Sequence, residues 1–150
     1  LKEEDYLADF NVNVLGAVKV LKKVINNLKE AEGASVVFVS SVAANLGLPY
    51  HASIAASKSA LEGLTKSLAS EYASAKVCFN AVAPSLTNTP MAGNLVKTDR
   101  QVEANEERNP MKKIGKPEQI ANSINFLLDA HNNWMTGQII PVDGGMGNLK

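Results

Sequence analysis

The sequence predicts an α/β fold, a doubly wound parallel sheet with helices on both faces, on three observations. Long apolar stripes of helical period alternate with short β-branched runs. Their order is helix, strand, helix, strand, polar excursion, helix, strand, the rhythm of parallel strands joined by helical crossovers. The strand candidates are apolar throughout rather than alternating, as strands covered on both faces are.

Leu7, Phe10, Val14, Val18, Leu21, Ile25 and Leu28 step by three and four, which predicts one long amphipathic helix ending near Gly33. Ser35 to Ser40 is expected as a strand buried on both faces. A loop with Gly47 and Pro49 leads into a second long helix, from about Ala52 to Tyr72, with Ser53 as a candidate N-cap. Its Leu61, Leu64, Leu68 and Tyr72 form one stripe, and Ala52, Ala56, Ala60 and Gly63 form a face of small residues. Val77 to Val82 is the next strand, stopped by Pro84. The polar stretch that follows holds Pro90, Gly93 and Pro110, and its length suits a lid with one short helix. Pro117 fits the first turn of a helix whose Ile120, Ile124 and Leu127 face inward. Gly137 to Val142 is the last strand, with Trp134 and Met135 packing before it. Right-handed crossovers would lay the three strands side by side. No linker or repeat divides the chain, so residues 1–150 read as one domain or part of one, with a lid over about 86–115.

Composition narrows the function. Fifteen basic and fifteen acidic residues cancel, so no overall field recruits nucleic acid or a membrane surface. No stretch has the roughly 18 apolar residues of a membrane span. Cys78 is the one cysteine and lies in an apolar run, where it reads as a small buried hydrophobe; this fits a reducing, cytoplasmic setting. His131, beside Asn132 and Asn133, reads as part of a surface turn.

Four local patterns go further than periodicity. Asn13-Val14-Leu15-Gly16 lies on the first helix, and Ser40-Ser41 ends the first strand. Asn80-Ala81-Val82-Ala83-Pro84 covers the second strand, and Thr136-Gly137-Gln138 through Val142-Asp143-Gly144-Gly145 covers the third. In order and spacing these resemble the short-chain dehydrogenase/reductase family across nearly the whole chain. The resemblance implies a three-layer Rossmann-like sheet, of which this is the C-terminal portion, and an oxidoreductase using NAD or NADP on a small carbonyl or alcohol substrate. Residue by residue, it implies that Ser41 orients the substrate oxygen, Lys58 holds the nicotinamide ribose, and Asn13 organises a water relay. Pro84, Ser85, Thr87 and Thr89 fall where family members meet the nicotinamide end of the cofactor. No metal enters the expected site.

Two departures stand against that pattern. Ile54 occupies the position of the family's catalytic tyrosine, four residues before Lys58, and Ser85 stands where glycine is usual. A sec-butyl side chain can neither give nor take a proton, and losing a positioned acid/base costs roughly 10²–10⁴-fold in rate. His51, three residues before Ile54, is the candidate substitute because an imidazole changes charge near neutral pH; a loop histidine with no role is the plain alternative. Tyr50 reads as a loop aromatic. The family's Gly-rich phosphate loop has no counterpart here: Gly144, Gly145 and Gly147 follow the last strand and open no helix. The first half of that fold is either lost or lies upstream of Leu1.

The expected activity is therefore that of an atypical NAD(P)-dependent oxidoreductase. The rival is a non-catalytic relative that senses dinucleotide or serves as a scaffold, and a weaker third reading is a purely structural subunit. Family members commonly pair through the two long helices, which implies a homodimer or homotetramer. With an unpaired edge at Ser35 to Ser40, residues 1–150 expressed alone are expected to aggregate or partly unfold and to bind no dinucleotide.

Overall fold

The computed structural model describes residues 2–149. The first predicted helix is two α-helical pieces, α1 (Glu3–Phe10) and α2 (Gly16–Glu30), joined by a π-helical turn at Asn11–Leu15. Acidic Glu3, Glu4 and Asp5 occupy its first turn, where the helix dipole favours negative charge. Strand β1 (Ser35–Val39) follows, then a 3₁₀ turn at Val42–Ala44 and helix α3 (Ala52–Tyr72). Strand β2 (Cys78–Pro84) leads into the excursion, which contains one ten-residue helix, α4 (Asp99–Arg108). Helix α5 (Pro117–Leu128) has Pro117 in its first turn, as predicted, and β3 (Ile139–Val142) closes the sheet.

The three strands are parallel in the order β1-β2-β3, with Val37 opposite Asn80 and Ala81 opposite Ile139. Side chains alternate across a strand, so Val36, Phe38, Phe79 and Ala81 share one face. That face packs on α2 and α3 through Leu21, Leu61 and Ala69. Phe79 is fully buried there, its ring centroid 6.4 Å from that of Phe38 and 5.7 Å from that of Tyr72. Cys78, Asn80 and Val82 point to the other face. There the Cys78 thiol donates to the carbonyl of Asn133 and the Asn80 amide to that of Met135, both in the segment after α5. Helix α5 covers this side with Leu127 buried.

Three expectations need correction. Both crossovers step the same way across the sheet yet run over opposite faces, so they have opposite hands and the right-handed rule holds for one of them only. Trp134 does not pack before β3; it is 98% exposed. The polar side chain of Asn80 secures that approach instead, donating to Met135 O at 2.7 Å and accepting from Gln138 N at 3.0 Å. Strand β1 is not buried on both faces: it has one strand neighbour among the described residues, and Val39 is 44% exposed.

Asn80 is wholly buried and satisfies two backbone groups, the Met135 carbonyl and the Gln138 N–H, that have no other partner among the described residues. Asn80→Ala orphans both at about 1–3 kcal/mol each, so denaturant unfolding should show a loss of roughly 2–5 kcal/mol; a loss under about 1 kcal/mol would contradict this.

Candidate active site

Parallel α/β sheets bind ligands at the carboxyl ends of their strands, and the predicted residues gather there. Ser41 follows β1 with an extended backbone, and its Oγ accepts from Ala43 N at 3.2 Å, capping the 3₁₀ turn. Helix α3 fastens the chain on both sides of this serine. Lys58 Nζ donates to Val39 O at 2.7 Å, and Ser59 Oγ donates to Ala44 O at 2.7 Å. One turn beyond Lys58, Glu62 accepts from Ser40 Oγ at 2.7 Å and from Asn45 Nδ2 at 2.9 Å.

Lys58 has three N–H donors, and the bond to Val39 uses one of them. The ammonium is half-buried and lies at the end of β1, beside the serine turn. Burial pushes its pKa below the usual lysine range, and the carboxylate of Asp9 opposes that shift. Asp9 comes from α1 and accepts from Ser53 Oγ at 2.6 Å. Ser53 is therefore not the N-cap of α3. His51 holds that position, and the Ser53 hydroxyl ties α3 to α1 instead.

Asn13 lies in the π-helical turn, a local form found disproportionately at functional sites. Its Nδ2 donates to Ser57 Oγ at 3.1 Å, and that buried hydroxyl donates to Ile54 O at 3.1 Å. Asn13 thus reaches the turn of α3 that carries both Ile54 and Lys58, which share a face at i,i+4 spacing. Ile54 is half-buried.

His51 is exposed, and its Nδ1 lies 2.7 Å from Pro49 O. A carbonyl only accepts, so Nδ1 carries the hydrogen and Nε2 of the neutral ring is left as a free acceptor. Together with Ala52, Ala55 and residues 43–48 it lines a cleft of about 370 Å³. Tyr50, next to it, is fully exposed with a φ of 64° and contributes no wall. His131 is likewise a surface residue, bonded to Asp129.

At the end of β2 the departure at Ser85 has a structural partner. Ser85 Oγ donates to Asp143 O at 3.0 Å, and Thr87 Oγ1 turns back onto Ser85 O at 3.0 Å. Pro84 ends the strand, and Thr89 starts the 3₁₀ turn Pro90–Ala92. The excursion closes on itself where Gly115 N donates to Leu86 O and Asn88 N to Gly115 O, at 3.0 and 2.9 Å. Asn109, buried at the end of α4, donates to the same Asp143 carbonyl at 2.8 Å. Two elements at the base of the excursion therefore converge on one oxygen at the end of β3. Gly144 must be glycine for this: its φ is +65°, and a Cβ would lie 2.4 Å from Asn109 Oδ1.

Sequence reasoning missed Glu62, Asp9, Ser59 and Asn109. For Glu62 a signal existed: a carboxylate four residues after Lys58 shares its inward face. Asp9 and Asn109 had none, because their partners are distant in the chain.

The site combines a serine hydroxyl, a partly desolvated ammonium and a part-buried Asn13–Ser57 hydrogen bond, with Ile54 beside them. Asp9→Asn removes the charge that opposes desolvation, so the Lys58 pKa should fall further, as read by NMR titration of its ε-methylene signal; an unchanged or raised value would contradict the pairing.

The model of the family described as enoyl-(acyl carrier protein) reductase matches residues 1–147. The 3-oxoacyl-[acyl-carrier-protein] reductase of Thermotoga maritima is 38% identical over 146 residues, covering 97% of this chain and 58% of that protein. Carbonyl reductase family member 4 of Danio rerio is 36% identical over 97% of this chain and 58% of its own length. Among solved structures, a gluconate 5-dehydrogenase from Burkholderia cenocepacia in complex with NADP and tartrate superposes with a TM-score of 0.92 at 26% identity, over 100% of this chain and 59% of that one. The aldohexose dehydrogenase of Thermoplasma acidophilum gives 0.91 at 29%, over 100% and 62%. The chain spans well under two thirds of the length of these relatives. On its motifs, its sheet and these matches, the chain belongs to the short-chain dehydrogenase/reductase family.

Proposed function

We propose that the protein to which this chain belongs is an NAD(P)-dependent oxidoreductase interconverting a carbonyl and an alcohol on a small molecule. The observation that carries the reading is the Lys58–Val39 bond, which sets an ammonium with two further donors beside Ser41 at the carboxyl edge of the sheet. Those free donors, half-buried next to a strand end, fit the hydroxyl groups of a nicotinamide ribose. The NADP complexes solved for relatives support the same class of cofactor. The residues present offer nothing for the pyrophosphate end, so only the nicotinamide end falls to this chain.

A bound nicotinamide would supply or accept the hydride. The chain's own residues do the rest. Ser41 donates to the substrate oxygen, and Lys58 orients the ribose. Its positive charge stabilises negative charge developing nearby. Asn13 and Ser57 hold the relay behind them. Two groups can handle the proton in place of a phenol: a water held in the cleft, or His51, whose Nε2 takes a proton from an alcohol and, once it carries that proton, returns it to a carbonyl oxygen. Pro84, Ser85, Thr87 and Thr89 form the wall at the end of β2, with Ser85 and Thr87 rigidifying it through their hydroxyls.

The reading extends to assembly and setting. Val12 in the π-helical turn and Val18 and Val20 on α2 are exposed apolar side chains, at 74, 41 and 64%. Ala52, Ala56 and Gly63 present a small-residue face on α3. Patches of this kind mark interfaces, and they support a homodimer or homotetramer built on two-fold helix packing. Among the described residues no helix is long and apolar enough to cross a membrane, and a cytoplasmic location is part of the proposal.

Position 54 tests the chemistry in the full-length protein. Ile54→Tyr places a phenol one turn before Lys58, and the gain in carbonyl turnover should be roughly 10²–10⁴-fold, with a new ionisation in the pH profile. If His51 is the acid, His51→Ala abolishes activity in the parent and the introduced phenol adds little. Cofactor binding with no response to either change, across a panel of carbonyl substrates, would overturn the enzymatic reading.

A further inference from the structure

Glu62 is a buried carboxyl, 7% exposed, with no part in the chemistry above. Burying such a group is costly unless its oxygens are well bonded, and its two bonds fall on either side of one residue. Oε1 accepts from Ser40, immediately before Ser41, and Oε2 accepts from Asn45, just after the 3₁₀ turn that Ser41 caps. Ser40 is fixed to β2 as well, its N–H donating to Val82 O at 2.7 Å. The two ends of the serine turn are thus joined through a single side chain on α3. Lys58 and Ser59 hold only backbone carbonyls of this segment, at Val39 and Ala44. Among the described residues, the Glu62 carboxyl is the one side chain that bonds to both ends.

We propose that Glu62 is a positioning residue for Ser41, bracketing the turn so that the serine hydroxyl is held at the site. This rests on the reading of Ser41 as the group that meets the substrate oxygen. The chemistry at 62 is specific, because both neighbours are donors and a carboxylate offers an acceptor to each. An amide offers one acceptor only, so Gln at 62 accepts from Asn45 while its NH₂ donates to the Ser40 hydroxyl, which reverses its role. Glu62→Gln keeps the shape and weakens the bracket by removing its charge.

The test is a double-mutant cycle in the full-length protein, with Glu62→Gln and Ser41→Ala singly and together, read as kcat for carbonyl turnover and KM for dinucleotide. Glu62→Gln should lower kcat roughly tenfold to a hundredfold, the scale of one lost charge-assisted hydrogen bond, and leave KM for dinucleotide unchanged. In the Ser41→Ala background the same change should cost less than about twofold, because residues acting as one unit are not additive. Asn45→Ala, at an exposed position, should give part of the loss and serves equally if Glu62→Gln folds poorly. A full Glu62→Gln loss persisting without the Ser41 hydroxyl, or a kcat that does not fall, would overturn the proposal. Should Ser41→Ala itself leave turnover unaffected, the functional reading of Ser41 fails, and amide exchange then judges the bracket alone. The Ala43 amide, whose acceptor is Ser41 Oγ, should exchange on the order of tenfold faster in Glu62→Gln while Phe79 and Ala81 stay protected; unchanged exchange at Ala43 would overturn it.

Discussion

The bond from Lys58 Nζ to the carbonyl of Val39 is the interaction on which the rest of the site depends. It joins the middle layer to the helical layer where the sheet ends, and it spends one donor of a cation to do so. A hydrogen bond to a charged group contributes about 1.5–3 kcal/mol net, enough to hold a long side chain that would otherwise wander in solvent. The result is an ammonium fixed beside a serine, at the strand ends where parallel sheets bind ligands. Partial burial makes that ammonium easier to deprotonate than a free lysine, and Asp9 on α1 limits the effect. Three helical pieces thus set the properties of one charge: α3 carries it, α1 tunes it, and the π-helical turn between α1 and α2 places Asn13 against the same turn of α3.

A second constraint acts at the same carboxyl edge, at the end of β3. The carbonyl of Asp143 receives Ser85 from the end of β2 and Asn109 from the end of α4. The carboxyl of the same aspartate accepts from Gly145 N and Gly147 N, each at 2.8 Å. A residue directly after β3 therefore fixes both its own glycine turn and the base of the excursion. The serine at position 85 ties the end of β2 to the end of β3 through its hydroxyl, and Asn109 ties the end of α4 to the same carbonyl.

Much of this was legible in the sequence. The stripes of α3 and α5 and the apolar runs of β2 and β3 follow from burial, which repeats with the period of the backbone and leaves its mark locally. The family patterns singled out Ser41, Lys58 and Asn13 as expected site residues, and the bonds to Ser57 Oγ and Val39 O bring Asn13 and Lys58 to the same turn of α3. What escaped was set by contacts distant in the chain. The apolar steps of three and four through residues 7 to 28 read as one continuous helix, so they gave no sign of the π turn that holds Asn13. Ser53 has the chemistry of an N-cap, but Asp9, far off in sequence, takes its hydroxyl. Glu62 shares the inward face of Lys58, but its partners Ser40 and Asn45 lie on another element and are set by the fold. The hand of the second crossover is a property of which face α5 covers, and no single segment encodes that. Trp134 misled for the opposite reason: a large aromatic suggests packing, yet a fully buried asparagine secures the approach to β3.

The most direct measurement of the central claim is calorimetric titration of the full-length protein with NADPH and NADH, comparing the parent with Lys58→Met. The account predicts saturable binding in the parent. In the variant it predicts a loss of roughly tenfold or more, as removal of charge-assisted bonds to a ribose requires. Equal affinity in the two proteins would contradict it, because the ammonium at the end of β1 would then hold no cofactor.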